Sequence, residues 1–169
     1  MNDDGPILIT MGEPAGIGPE VAVAAYKALN GRVGRHPLRL VGDADMFMSL
    51  GIEDGDPLYA SQPLATPRRP GVPNAANAPA VTSAIEIATD IALDGAAAAI
   101  VTAPIHKAVL NAAGFPFPGH TEYLAHLTGA RRAVMMLASD QLRVVPLTIH
   151  MPIADVPGAI DKSAVFETG

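Results

Sequence analysis

Pro6-Ile-Leu-Ile-Thr-Met11 is an apolar run of strand length, and Gly12-Glu-Pro-Ala-Gly-Ile-Gly18 carries it into a helical stretch from Pro19 to about Leu29. A strand that ends in a glycine turn and feeds a helix is the first half of a parallel strand–helix–strand unit, since parallel neighbours need a crossover connection. Pro19 suits a first helical position, where its missing N–H is no loss. The same order recurs downstream. Residues 38–41 form an apolar strand that passes through Gly42-Asp43 into a short helix toward Leu50, with Asp43 placed to cap it. Residues 97–102 form another strand, followed by a helix over about 105–113. Between them a helix runs from Thr82, with Ala84, Ile85, Ala88, Ile91 and Ala92 on one face and Glu86, Thr89, Asp90 and Asp94 on the other. Alternating strands and helices predict an α/β fold, three-layered α/β/α with a mostly parallel sheet.

The remaining segments are less regular. Residues 55–79 are dense in Pro and Ala and hold neither period, which predicts an irregular loop or arm with one short strand near Leu58. A turn over 114–119 precedes a helix over 120–127, and strands are expected at 133–138 and 142–149. Pro146 lies inside the last of these and implies an edge position or a bulge. Residues 161–169 read as the opening turns of a helix, and no repeat of fixed period is visible.

At 169 residues the chain is sized for one compact domain. Hydrophobic residues make up 49% and charged residues 17%, with a mean hydropathy of +0.27, which is far from a disordered composition. Seventeen acidic against eleven basic side chains give a net charge of −6, a poor match to a nucleic-acid backbone. There is no cysteine, so disulfides, thiolate metal sites and a cysteine nucleophile are excluded. No apolar run reaches the length of about 18 residues that would span a membrane, and Asn2-Asp3-Asp4 does not open a leader peptide. A cytoplasmic protein with no membrane partner is expected.

Four motifs carry candidate chemistry. The glycine turn over 12–19 places backbone amides at a helix start, where they could meet a phosphate or carboxylate or could simply make a tight turn. It is neither a P-loop nor a dinucleotide fingerprint, and Glu13 and Glu20 add negative charge to it. Thr102-Ala-Pro-Ile-His-Lys107 follows a buried strand and so emerges at the sheet's carboxyl edge, the usual ligand side of such sheets. Lys107 is the candidate catalytic residue there, able to orient a substrate or shift a proton; the alternative is that His106 and Lys107 are solvated residues of a first helical turn. Gly119-His-Thr-Glu122 opens another helix, where His120 and Thr121 can face a ligand while Gly119 gives room, or Thr121 can serve only as a cap. His126 is six residues from His120, too far round the helix for a shared metal, and is read as surface; His36, placed in a loop, has no evident partner. His150 closes a strand before Met151-Pro152, a position suited either to a divalent-metal ligand or to a hydrogen-bonded structural histidine.

Taken together, Thr10-Met-Gly-Glu-Pro-Ala-Gly-Ile-Gly-Pro-Glu20, Val101-Thr-Ala-Pro-Ile-His-Lys107, Phe117-Pro-Gly-His-Thr-Glu-Tyr123 and Thr148-Ile-His150 resemble the 4-hydroxythreonine-4-phosphate dehydrogenase family of vitamin B6 biosynthesis. The blocks stand in family order and span residues 7 to about 165. The resemblance implies NAD- or NADP-dependent oxidation of a phosphorylated hydroxy-amino acid, then loss of carbon dioxide to give 3-amino-2-oxopropyl phosphate. It further implies two α/β lobes about a cleft, similar to isocitrate and isopropylmalate dehydrogenases, in a homodimer with divalent metal (Zn, Mg, Mn or Co) at the subunit interface. His120 and Thr121 then correspond to substrate contacts, and His150 to one of three metal-binding histidines.

The departures from the family are specific. Its members run to roughly twice this length. The Asn-Pro-His and Tyr-His-Asp-Gln blocks that would bring the other metal histidines are absent, as are the basic residues for the substrate phosphate and most of the dinucleotide site. Ala103 stands where many members have Gly. Two readings follow. One is the N-terminal half of such a dehydrogenase, or of a relative acting on phosphorylated threonate or erythronate, inactive by itself and lacking the C-terminal NAD- and phosphate-binding half. The other is a non-catalytic dimerisation or regulatory module that pairs with a full-length paralogue.

Overall fold

The computed structural model describes residues 4–53, 55–131, 133–149 and 151–169. They fall into two units, Met1–Gly129 and Ala130–Gly169.

In the first unit, strand β1 (Ile7–Thr10) is flanked on both sides. β3 (His36–Gly42) runs parallel to it with Ile7 opposite Leu38 and Thr10 opposite Val41, and β5 (Ala99–Thr102) runs parallel on the other side with Thr10 opposite Thr102. β4 (Leu58–Ala60) extends the sheet alongside the last residues of β3, and β2 (Arg32–Val33) folds back antiparallel on its first two. The chain travels from β1 through helix α1 (Gly18–Ala28) to β3, then back past β1 through helix α3 (Ala78–Leu93) to β5. Right-handed crossovers taken in opposite directions place α1 and α3 on opposite faces, giving the expected three layers.

Burial explains the strand choice. Leu8, Leu38, Leu40 and Val41 are almost wholly buried, as strands covered on both faces require. Against them α3 sets Ala80, Ala84 and Ala88 in one i, i+4 row beside Val81 and Ile85, and the small side chains let the helix sit close to the sheet. Thr89 belongs to this buried face rather than the exposed one; its hydroxyl satisfies itself by donating to the Ile85 carbonyl at 2.7 Å. Helix α3 also starts at Ala78, not Thr82, because Pro79 sits in the first turn and the preceding Asn77 is buried in bonds to the arm. Its side-chain oxygen accepts from Thr66 N at 2.9 Å and its amide donates to Thr66 O at 3.1 Å. Asp43 caps helix α2 (Ala44–Ser49) as expected, accepting from Met46 N at 2.6 Å, and its second oxygen takes Leu64 N at 2.8 Å. His36 opens β3 instead of lying in a loop, with Nδ1 3.0 Å from the Gly5 carbonyl oxygen. Helices α4 (Lys107–Ala112) and α5 (His120–Thr128) complete this unit.

In the second unit the long strands expected at 133–138 and 142–149 shrink to a hairpin of β6 (Leu137–Ala138) and β7 (Arg143–Val144), paired antiparallel. Pro146 has no N–H to extend the ladder, and all four paired residues are exposed, so neither hydrogen bonding nor burial lengthens the strands. Helix α6 (Val156–Ala159) precedes α7 (Lys162–Thr168), which matches the helix expected at 161–169; the Asp161 carboxylate caps it by accepting from Ala164 N at 2.8 Å. No helix among the described residues is long and apolar enough to cross a membrane.

Candidate functional site

Strand order reverses between β1 and β5, so the crevice beyond their carboxyl ends is where a sheet of this kind offers a ligand site. Two of the motifs arrive there, the glycine turn after β1 and residues 103–107 after β5.

The glycine turn is a packing device. Gly12 has φ +68°, and a Cβ on it would stand 2.5 Å from the Pro104 carbonyl oxygen; a Cβ on Gly18 would stand 2.6 Å from Met11 O. Glu13 N donates to Pro104 O at 2.8 Å, joining the two loops, and the buried Glu13 carboxylate accepts from Ala15 N at 3.1 Å. From the arm, Arg68 donates to Pro14 O at 3.0 Å and pairs with the Glu20 carboxylate, while Gly71 N donates to Ala15 O at 2.7 Å. For Glu20, burial pulls its pKa upward, but the hydrogen bond and charge of Arg68 outweigh it and leave the carboxyl below its ordinary value. The protein's own groups fill the turn, and the tight-turn reading accounts for Gly12 and Gly18. Sequence reasoning missed this clamp because Arg68 lies in the irregular arm, 48 residues from its carboxylate partner.

The second motif leads to the helix start at 119–122. His106 is exposed, as the solvated reading has it, and precedes α4 as its cap, with Nδ1 accepting from Val109 N at 3.4 Å. Histidine is not among the usual capping residues, so no residue-type signal announced it. Lys107 is exposed and reaches the start of α5, where its Cε and Nζ lie 3.3 Å from the point a Gly119 Cβ would occupy. His120, the first residue of α5, is half-buried, and its Nε2 is fully enclosed with no hydrogen-bond partner. Burial first, and the Lys107 ammonium second, hold its pKa below the ordinary 6.5 and so favour the neutral imidazole. Thr121 is exposed and makes no cap: the capping position belongs to Gly119, without a side-chain bond. The capping alternative for Thr121 is thereby set aside. The structure thus brings Lys107, His120 and Thr121 to one helix start, and His150 lies outside the described residues. His126 is exposed as expected, its ring 4.9 Å from that of Phe117.

Behind the helix start, Tyr123 is buried and donates its hydroxyl to the Glu86 carboxylate of α3. Burial and that carboxylate both push the phenol pKa far upward, so it stays protonated and the bond ties α5 to α3. Phe115 and Phe117 pack edge-on and tilted against the same ring at 4.8 and 5.0 Å. His120 Nε2 is thus a buried polar atom without a partner, carried by a helix that the Tyr123–Glu86 bond anchors.

Comparison with known proteins agrees with the motif reading. A family model described as pyridoxal phosphate biosynthetic protein PdxA matches residues 26–169. The chain is 46% identical over 178 aligned positions to the 4-hydroxythreonine-4-phosphate dehydrogenase of Roseobacter denitrificans, covering 96% of this chain and 54% of that protein. It is 45% identical to the protein of the same name from Paracoccus denitrificans, covering 95% and 53%. The crystal structure of 4-hydroxythreonine-4-phosphate dehydrogenase from Klebsiella pneumoniae superposes with a TM-score of 0.80 at 31% identity, covering 97% of this chain and 57% of that one. A terephthalate 1,2-cis-dihydrodioldehydrogenase from Burkholderia xenovorans shares the fold at a TM-score of 0.71 and 24% identity. The chain spans about half the length of the curated relatives it matches. With the sheet order, the four motif blocks and these matches in agreement, the chain belongs to the pyridoxal phosphate biosynthetic protein PdxA family.

Proposed function

We propose that this chain supplies the N-terminal half of a cytoplasmic, homodimeric 4-hydroxythreonine-4-phosphate dehydrogenase. In that reaction the substrate carbinol carbon gives a hydride to NAD or NADP and its hydroxyl gives up a proton. The resulting β-keto acid loses carbon dioxide and takes up a proton to become 3-amino-2-oxopropyl phosphate. The observation that carries this reading is the 46% identity, over 96% of this chain, to a 4-hydroxythreonine-4-phosphate dehydrogenase whose motif blocks it shares.

A neutral imidazole there can hydrogen-bond a substrate oxygen without adding charge, and the Thr121 hydroxyl beside it can both donate and accept. Lys107 brings a cation for an anionic group of the substrate. Tyr123, locked onto Glu86, keeps the helix that carries His120 and Thr121 from turning.

Divalent metal is assigned to His150 as one ligand. Among the described residues no three side chains of metal-binding type stand together, and they do not by themselves fit a metal centre. The glycine turn, closed by Gly12 against Pro104 and Gly18 against Met11, does not fit a dinucleotide either. The remaining metal ligands and the dinucleotide site are therefore assigned to the part of the relatives' length that this chain does not span.

The test combines turnover and binding. Purified chain mixed with 4-phosphooxy-L-threonine, NAD and a divalent metal is expected to give no rise in reduced-nicotinamide absorbance. The same substrate is expected to shift the His120 imidazole resonance, with binding about tenfold weaker in His120→Gln, the loss of one hydrogen bond. Turnover by this chain alone overturns the half-site reading, and an unperturbed His120 overturns the substrate contact.

A further inference from the structure

β5 closes one side of the sheet: β1 pairs with it along one edge, and among the described residues no strand pairs with the other. Proteins usually blunt such an edge with a charge, a proline or a bulge, because its row of open N–H and C=O groups recruits another strand. β5 has none of these. No charged side chain stands between Asp94 and Lys107, Ala99-Ile-Val-Thr102 contains no proline, and its register with β1 runs without a break. One face of the same strand is bare as well. Ile9 and Val101 lie side by side in register, yet Ile9 is 7% exposed and Val101 50%. The layer that covers β1 on that face therefore ends before it reaches β5. On the opposite face Ile100, beside Leu8, packs against the core, so the strand is covered on one face where parallel strands are ordinarily covered on both.

What fits this surface must bring a strand for the edge and a layer for the bare face, which together make one further strand–helix unit of the kind the sheet already repeats. A second copy of this chain offers only the first: two β5 edges set antiparallel would pair along one short strand and leave Val101 bare on each. The relatives hold a source for both. This chain covers 54% of the Roseobacter denitrificans protein and 57% of the Klebsiella pneumoniae chain, so nearly half of each lies outside the match. We propose that the outer edge of β5, with Ala99 and Val101 beside it, is a docking surface that takes a strand–helix unit from the C-terminal half of a PdxA-family protein, and takes it without a peptide link between the halves. The inference rests on the reading of this chain as an N-terminal half and adds where the other half seats. Strand addition supplies main-chain hydrogen bonds along the edge, and burial of Val101 under the incoming helix supplies apolar area.

Reassembly of the two halves tests this. The tagged full chain is co-expressed with the untagged part of the Roseobacter denitrificans protein that lies beyond its match to this chain, and the pair is purified on the tag, directly or after refolding together from urea. The parent chain is expected to retain the added half, with hydrogen exchange at the amides of residues 99–102 slowed at least about tenfold relative to the chain alone. Val101→Lys sets an unpaired ammonium against the incoming layer and is expected to weaken retention at least about tenfold. Because Val101 is half exposed in the chain alone, this variant keeps its fold, which its unfolding midpoint checks. Val33→Lys, on the short strand at the other side of the sheet, is expected to retain the added half as the parent does. Absence of the added half from the purified parent by both routes overturns the proposal, as does retention that leaves residues 99–102 unprotected or that falls equally in the two lysine variants. Sedimentation of the chain by itself distinguishes a second copy: a dimer that Val101→Lys dissociates makes this chain its own occupant and overturns the proposal. Turnover is read separately, and the reassembled pair is expected to reduce NAD with 4-phosphooxy-L-threonine and divalent metal. A pair protected at β5 that gives no turnover leaves the docking in place and overturns the dehydrogenase reading.

Discussion

His120 shows how one side chain can report on both function and stability. Its folded-state pKa lies below the ordinary 6.5 because burial, and then Lys107, disfavour the imidazolium. A pH unit or more above the ordinary 6.5 the residue is neutral in both folded and unfolded chains and contributes no pH dependence. As pH falls from there through the lowered folded value, the unfolded chain binds the proton first, so stability declines toward acid. His120→Gln is expected to remove that part of the slope. Urea unfolding followed by tyrosine fluorescence at pH 5 to 8 reads this cleanly, because Tyr26, Tyr59 and Tyr123 all lie in the first unit and there is no tryptophan. Equal slopes in the two proteins would show that the lowered pKa is not a property of this imidazole. The identity of His120 as a candidate could be read from its place after Gly119 at a predicted helix start. Its missing partner could not, since enclosure of a single nitrogen depends on tertiary packing, which no local pattern encodes.

At the scale of elements, the glycine motif separates what sequence can and cannot announce. Its position between strand and helix was legible, because Ile7, Leu8 and Ile9 precede it and Pro19 follows. Its purpose was not, because the partner that demands glycine is the Pro104 carbonyl, brought alongside only by the pairing of β1 with β5. The glycines should therefore differ sharply. Gly12→Ala must place a Cβ at positive φ and against a backbone oxygen, and is expected to cost at least about 2 kcal/mol. Gly16→Ala, outside the left-handed region and with ordinary contact to Glu13 at 3.4 Å, should stay within about 1 kcal/mol of the parent. Denaturant midpoints at unchanged m-value decide this, and equal costs would refute the packing account. The overlong strands at 133–138 and 142–149 have the opposite cause: their apolar residues imitate a buried strand, yet Met136, Leu137 and Leu142 are 57%, 61% and 65% exposed. Composition alone cannot distinguish a strand that is covered from one that is not.

For the whole molecule, the two units differ in how much they can hold themselves together. The first has a continuous core from Leu8 to Leu110, whereas the second is about 40 residues long, a length at which an independent core is rarely sufficient. In the second unit Ile153 and Phe166 are 89% and 87% exposed. A fragment of residues 1–129 is therefore expected to unfold cooperatively, with an m-value in proportion to its size, while a peptide of residues 130–169 should show little helix by circular dichroism. A helical, cooperatively melting peptide would contradict this division. The central position of β1 has a consequence for synthesis. Its outer neighbours arrive at different times: residues 38–41 soon after it, but residues 99–102 much later. A ribosome must therefore translate more than half of this chain while one edge of its earliest strand is bare, and during that interval a trigger-factor-like holdase, or any nascent neighbour with a free edge, competes for the place reserved for β5.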